Sequence, residues 1–256
     1  MWTILRTAAS GAAAQQRALD VASNNLANLQ TTGYKSRRPD FVEVRPREAE
    51  FGTRGERSAI DRELGQGVGV AAIVANHSTG ATQETGQPLD LAITGDGYLR
   101  VALADGRVAY TRDGALRIDG DGRLVTAAGA LIDPPITVPD GATDVQIGSD
   151  GRVFARVDGE LTEIGQLELT RFVNPDGLES IGSSMFVGGP ASGESVTGFP
   201  GEAGFGTLFS GALEASNVNP ADEFVRVLQA QRAYQVNLRV VRTVDEMMQA
   251  ANNLRR

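Results

Sequence analysis

The sequence predicts an α+β protein in which long N- and C-terminal helices pair as a coiled coil, with a central all-β domain of short antiparallel strands between them. Three observations predict it. Apolar residues recur at every seventh position at both ends of the 256-residue chain. The helical period disappears between those ends, and short alternating runs replace it. Asp-Gly pairs punctuate the middle as hairpin turns would. The organisation expected is an N-terminal helix over 1–33, a charged extended arm over 34–66, a central β-domain over 67–215 and a C-terminal helix over 216–256, the two helices being halves of one terminal helical domain.

The C-terminal helix has the plainest start. Asn219 is a good N-cap, Pro220 suits the first helical position, and Asp222 and Glu223 place negative charge at the positive end of the helix dipole. Val227, Tyr234, Val241 and Met248 then repeat seven apart, widened by Ala230, Leu238, Val244 and Ala251, while Arg232, Arg239 and Glu246 repeat on the other side. A helix of this extent spans roughly 50 Å, long for the cover of one small domain. Its apolar face needs a partner.

From Thr3 to about Leu29 the N-terminal pattern is again helical, with Leu5, Ala12, Leu19 and Leu26 at heptad spacing and Ala8, Ala22 and Leu29 beside them. Arg6, Arg17, Asn24 and Asn28 share the opposite face. A stripe made largely of alanine buries little area but lets neighbouring backbones come close. The alternative is an ordinary covering helix, and Gly11 slightly lowers the helix propensity of the stretch in either case. Gly33 in Thr31-Thr32-Gly33 marks the stop, because glycine accepts the left-handed conformation of a helix end.

Tyr34 to Glu63 is polar, highly charged and broken by Pro39, Pro46, Gly52 and Gly55, which reads as an extended arm, a long hairpin or a partly disordered loop. Gly65-Gln66-Gly67-Val68-Gly69 lacks the preceding strand and the following Lys-Ser/Thr of a phosphate-cradling loop, and reads as a flexible lead into a strand. Alternating runs such as Leu89-Asp90-Leu91-Ala92-Ile93 and Val145-Gln146-Ile147 mark the β-domain. Asp96-Gly97, Asp105-Gly106, Asp113-Gly114, Asp119-Gly120, Asp150-Gly151, Asp158-Gly159 and Asp176-Gly177 supply its turns. Gly188 to Gly206, rich in Gly, Pro and Ser, reads as a long loop.

Composition narrows the function. A net charge of -8 with scattered basic residues argues against a nucleic-acid surface. With no cysteine there are no disulfides, zinc-thiolate sites or thiol catalysis. No run approaches the roughly 18 apolar residues of a membrane span. The N-terminus is weak as a signal peptide, since Arg6 follows the first apolar residues and Thr3, Thr7, Ser10, Gln15 and Gln16 interrupt any hydrophobic core.

Catalytic and metal chemistry find little support. Asp119-Gly120-Asp121-Gly122 resembles the start of a calcium loop, but Arg123 and Ala130 stand where further ligands belong, so a turn is expected. His77, the single histidine, reads as a surface residue. Asp90, Asp96 and Asp113 sit in turn contexts rather than as an acid-base pair. The expectation is a protein that is not an enzyme and carries no cofactor. Two heptad-patterned ends separated by a β-domain can pair with each other and with neighbouring copies, and a head-to-tail contact that does not close propagates as a helical filament.

Four ordered motifs carry a family resemblance. Asn24-Asn25-Leu26-Ala27-Asn28 with Thr32-Gly33-Tyr34-Lys35 resembles the N-terminal signature of the flagellar basal-body rod and hook family. Leu89-Asp90-Leu91-Ala92-Ile93-Thr94-Gly95-Asp96-Gly97-Tyr98 and Tyr110-Thr111-Arg112-Asp113-Gly114 look like its two β-domain motifs. Ser216-Asn217-Val218-Asn219 with Gln229-Ala230-Gln231-Arg232-Ala233-Tyr234 resembles its C-terminal signature. Asn174-Pro175-Asp176-Gly177-Leu178-Glu179-Ser180-Ile181-Gly182, the length and the arm after Tyr34 look most like the members that form the distal rod.

The resemblance implies a structural subunit that polymerises into the drive shaft transmitting motor torque to the hook. It implies terminal helices forming an inner coiled-coil tube with the β-domain outside, and a periplasm-spanning location reached through the flagellar type III export apparatus without a cleaved signal. The implied partners are further copies of the chain, proximal-rod and hook-side proteins, and the surrounding P and L ring proteins, with neither nucleic acid nor membrane insertion. It further implies a rigidifying arm carrying Arg45, Arg47, Glu48, Arg54, Glu56 and Arg57. On the stripe reading and the resemblance together, Leu5, Ala12, Leu19 and Leu26 pack against Val227, Tyr234, Leu238, Val241 and Met248 of the same or an adjacent subunit, while Asn24, Asn25 and Asn28 hydrogen-bond where the helix leaves the tube. The alternatives are a proximal-rod or hook-type subunit of the same family and, from another class, a secreted carbohydrate-binding β-domain.

Overall fold

The protein is α+β, with one helix at each end of the described chain and short strands between. The computed structural model describes residues 2–44, 65–202 and 204–253. The arm residues Arg45, Arg47, Glu48, Arg54, Glu56 and Arg57 lie outside these. The chain divides into two compact units, one of residues 1–27, 37–74 and 219–256, the other of 28–36 and 75–218.

In the first unit, helix α1 (Trp2–Ala27) packs against helix α2 (Pro220–Asn253) and against β1 (Arg37–Glu43), which pairs with β2 (Val68–Ala75). The α2 start follows the capping logic: Asn219 Oδ1 accepts the Ala221 N–H at 3.0 Å and the Asn219 carbonyl accepts the Glu223 N–H. Past β1, Val44 exchanges backbone hydrogen bonds with Gln66 and Gly67, which prolongs the pair of strands. No helix among the described residues is long and apolar enough to cross a membrane.

The second unit runs through β3 (Thr82–Glu84), β4 (Leu91–Thr94), β5 (Tyr98–Ala102), β6 (Val108–Thr111), β7 (Leu116–Ile118), β8 (Leu124–Thr126) and β9 (Leu131–Ile132). It continues through β10 (Asp144–Ile147), β11 (Arg152–Val157), β12 (Glu160–Gln166), β13 (Leu169–Phe172), β14 (Glu179–Gly182) and β15 (Met185–Val187). It ends in β16 (Ser195–Gly198), β17 (Thr207–Ser210) and β18 (Ala212–Glu214). The largest sheet has the path β14-β15-β6-β5-β9-β8-β7, with β13 bridging β5 and β16, while β10-β11-β12 form an antiparallel meander. β17 returns from far along the chain to pair with β4, and β18 with β3, so this unit is closed by its own last strands.

Its core is aliphatic: Leu91, Ile93, Leu99, Val101, Leu124, Ile132, Val153, Leu167 and Leu169 are all nearly inaccessible. Their alternation along short strands turns one side chain in two inward, which is why each run shows only two or three apolar residues. A second, aromatic cluster holds Tyr98, Phe172, Leu178 and Phe186.

The Asp-Gly pairs divide by role. Those at 105–106, 119–120, 150–151 and 158–159 sit in the turns of β5-β6, β7-β8, β10-β11 and β11-β12, and Asp158 and Gly159 both take positive φ, 52° and 87°, as a tight hairpin demands. Asp113-Gly114 does otherwise: it passes flush against the Leu91 carbonyl, where a side chain would not fit. Asp176-Gly177 belongs to a 3-10 turn, Pro175–Gly177. The expected loop from Gly188 to Gly206 also contains a strand, β16, whose Val196 and Thr197 pair with Arg171 and Thr170; a two-residue alternation amid Gly, Pro and Ser is too short to see by period.

Candidate functional site

In the helical unit the buried and half-buried positions of α2 fall on one stripe: Glu223, Val227, Ala230, Ala233, Tyr234, Asn237, Leu238, Val241, Val244 and Met248. On α1 the matching stripe is Leu5, Ala8, Ala12, Leu19, Ala22 and Leu26, with Ala12 buried and the three leucines half-buried. Gly11 belongs to this interface. A Cβ there would lie 2.9 Å from Asn237 Oδ1, so the glycine that lowers helix propensity is what allows the α2 side chain to come close.

A second face of α1, through Ser10 and Asn25, serves the strand pair. Ser10 Oγ accepts the Val68 N–H at 3.3 Å. Asn25, fully buried, donates through Nδ2 to the Arg37 carbonyl at 2.8 Å and accepts the Arg37 N–H at 2.9 Å, acting as a short strand partner from the helix. Of the other asparagines in the N-terminal motif, Asn24 is exposed, and Asn28, in the β-rich unit, accepts the Thr31 hydroxyl at 3.1 Å.

Within the β-rich unit the remaining motif residues meet in a buried polar cluster. Lys35 Nζ donates to Glu214 Oε1 at 2.6 Å and to the Ser78 carbonyl at 2.7 Å. The Gly80 N–H also donates to Glu214 Oε1, and Arg112 Nη1 to Oε2 at 3.2 Å. Arg112 Nε and Nη2 reach the carbonyls of Gly97 and Gly95. Lys35 and Glu214 are 2% and 1% exposed, so the Lys35 charge is tolerable only beside the Glu214 carboxylate, which it shares with Arg112. Burial pushes the Lys35 ammonium below the usual lysine range, and the Glu214 carboxylate opposes that shift.

Two further residues tie the same place together. Asn217 Oδ1 accepts the Ser36 N–H at 2.7 Å while its Nδ2 donates to the carbonyls of Asn76 and Ser78, so one side chain fastens two other stretches of backbone to its own. Asp113 Oδ1 accepts from the Thr32 hydroxyl at 2.7 Å and from the Ala115 N–H, and burial raises its carboxyl above the usual aspartate range. Gly33, at φ 62°, lies where a Cβ would come within 2.6 Å of the Asp113 nitrogen.

Sequence reasoning assigned no role to Lys35, Arg112, Glu214 or Asn217. Three of them stand inside the family motifs, but Arg112 and Lys35 find Glu214 102 and 179 residues away and Asn217 finds Ser36 181 residues away, beyond any periodicity. His77, expected on the surface, is half-buried instead. Its Nδ1 lies 2.7 Å from the Tyr98 hydroxyl, and its ring meets Phe186 edge-on at 4.9 Å. The acidic Asp119 and Asp121 are both held by the Arg123 guanidinium at 2.8 Å, as a turn rather than a calcium loop.

Charges spent on one another and long helices paired by their apolar stripes define a structural protein, one built to hold segments of chain in register. The comparisons with known proteins give that class its family. Residues 5–35 match the flagella basal body rod protein family, 92–155 the flagellar hook protein FlgE/F/G D1 domain and 210–254 the flagellar basal body rod FlgEFG protein C-terminal family. The chain is 40% identical to the flagellar basal-body rod protein FlgG of Caulobacter vibrioides over 98% of both chains, and 39% identical to that of Borreliella burgdorferi over the whole of both. The flagellar hook-basal body complex protein FlhP of Bacillus subtilis is 30% identical over 94% of both chains. The chain belongs to the flagellar basal-body rod and hook family.

Proposed function

We propose that this protein is a rod-forming structural subunit of the flagellar basal body that polymerises into the distal rod, the shaft section carrying motor torque to the hook. The observation that carries this reading is the outer face of α2. Val225, Leu228, Val236, Val240 and Met247 are exposed there, opposite the stripe turned to α1. A row of apolar side chains along a 34-residue helix demands a cover, and further copies of the same helix pair provide one of matching length. The inner stripe, Leu5, Ala12, Leu19 and Leu26 with Val227, Tyr234, Leu238, Val241 and Met248, then holds each subunit's ends together while the outer row joins neighbours. Asn24, Asn25 and Asn28 fix the chain where α1 ends.

The reading draws on the likeness to the relatives named FlgG, which are more similar than FlhP over a comparable length, and on the motifs that resemble the members forming the distal rod. With that assignment go proximal-rod and hook-side proteins as end partners, the P and L ring proteins around the shaft, a periplasm-spanning location, and export through the flagellar type III apparatus without a cleaved signal. The arm with Arg45, Arg47, Glu48, Arg54, Glu56 and Arg57 is proposed to stiffen the shaft.

Electron microscopy of basal bodies from cells lacking this protein tests the assignment. The expected shaft begins normally at its base and stops short of the hook. A shaft of full length, or one missing from the base upward, would overturn it.

A further inference from the structure

The aromatic cluster of the β-rich unit is assembled from several strands around one imidazole. Tyr98 comes from β5, Tyr110 from β6, Phe172 from β13 and Phe186 from β15, and His77 enters from the segment before β3. The His77 ring stands edge-on to Phe186 at 4.9 Å and to Tyr98 at 5.9 Å. Tyr98 stands edge-on to Phe172 at 6.1 Å and carries the Arg112 guanidinium over its face at 5.3 Å. His77 Nε2 is buried and has no hydrogen-bond partner among the described residues.

A neutral imidazole needs one N–H and one lone pair, and the Tyr98 hydroxyl serves Nδ1 in either role. An imidazolium has two N–H donors. Its Nδ1–H would take the Tyr98 oxygen as acceptor and turn the phenol proton away, and its Nε2–H would be left buried with no acceptor among the described residues. The charges around it do not help. Lys35 and Arg112 repel the added proton, Asp176 alone attracts it, and Glu214 is already engaged by Lys35 and Arg112. Asp96 faces the Tyr98 side of the cluster.

We propose that His77 is an acid-operated latch of the β-rich unit: neutral, it closes the aromatic cluster, and on gaining a proton it loosens the packing of β5, β13 and β15 around it. The inference rests on that unit alone, whatever the chain assembles into. Burial, reinforced by Lys35 and Arg112 against Asp176, holds His77 down at about 4 from its ordinary 6.5. A base whose folded pKa is depressed binds its proton first in the unfolded chain. Its neutral form therefore supports the fold fully above pH 6.5, and that support is lost as pH falls from 6.5 towards 4. In the middle of that window the folding constant drops by at most about tenfold per pH unit on account of this group. The buried carboxyl of Asp113, raised rather than lowered, works in the opposite sense, so a comparison of variants is needed to isolate the histidine.

Because the chain holds a single histidine, its imidazole Cε1–H gives one proton resonance, free of overlap from any other histidine. In the folded full-length protein that resonance should titrate near 4, and in concentrated urea near 6.5. Urea unfolding of the wild type, His77→Phe and His77→Gln between about pH 7 and pH 5 provides the second measurement, with the wild type expected to lose about 20-fold more of its folding constant over that interval than either variant. A folded-state titration near 6.5, or parallel losses in all three proteins, would overturn the proposal. Should His77→Phe not fold, the resonance of the wild type decides alone.

Discussion

Glu214 carries two cations and a backbone N–H on one buried carboxylate, and that arithmetic decides which residue of the polar cluster matters most. Glu214→Gln leaves Lys35 and Arg112 facing an uncharged group, and breaking a buried pair from one side costs about 3–5 kcal/mol. Lys35→Met keeps the Arg112 pairing and should cost clearly less; urea unfolding of the β signal ranks the two. In the helical unit, Asn25→Ala removes both hydrogen bonds to Arg37 and should lower the stability of the helix signal by about 2–3 kcal/mol. None of these weights was legible in the residues alone. Thr32, Lys35, Arg112 and Asn217 stood out only as parts of motifs that resemble a family's, Asp113 also as half of a turn, and Glu214 carried no signal at all. A buried charge looks like a solvated one until the fold brings its partner from far along the chain.

Elements were far more readable than residues, because a helix writes its burial into the sequence at its own period. The α2 stripe from Val227 to Met248 and the alanine-rich stripe of α1 are half-buried or buried where the spacing put them. What period cannot report is a close approach, and Gly11 shows the difference. Gly11→Leu should force α1 and α2 apart at Asn237 at a cost of about 1–3 kcal/mol, read from thermal loss of the helix signal. The two faces of α2 then separate by mutation. Val241→Asp or Leu19→Asp places a charge in the α1-α2 seam and should weaken both the pair and its assembly. Val236→Asp or Val240→Asp, on the outer row, should leave the pair folded and abolish polymerisation, as sedimentation and electron microscopy would show. Filaments of normal length from the outer-row variants would remove that face from the assembly.

At the scale of the molecule, the ends of the chain contribute unequally to the two units. The β-rich unit needs residues 28–36 near the start and runs to 218, with β17 and β18 closing β4 and β3 and Glu214 completing the polar cluster. The helical unit, by contrast, draws on 1–27 and 219–256, and its α2 stripe extends to Met248. Removing residues 245–256 takes Met248 and the last turns of α2 from the seam while leaving every strand, the aliphatic core and the Glu214 pairings intact. The shortened chain should therefore unfold its β signal at the wild-type urea concentration, lose part of its helix signal, and sediment as a monomer at concentrations where the full chain assembles. Collapse of the β signal with the helix would mean that the two units fold as one, and would contradict the independence that the separate aliphatic core predicts.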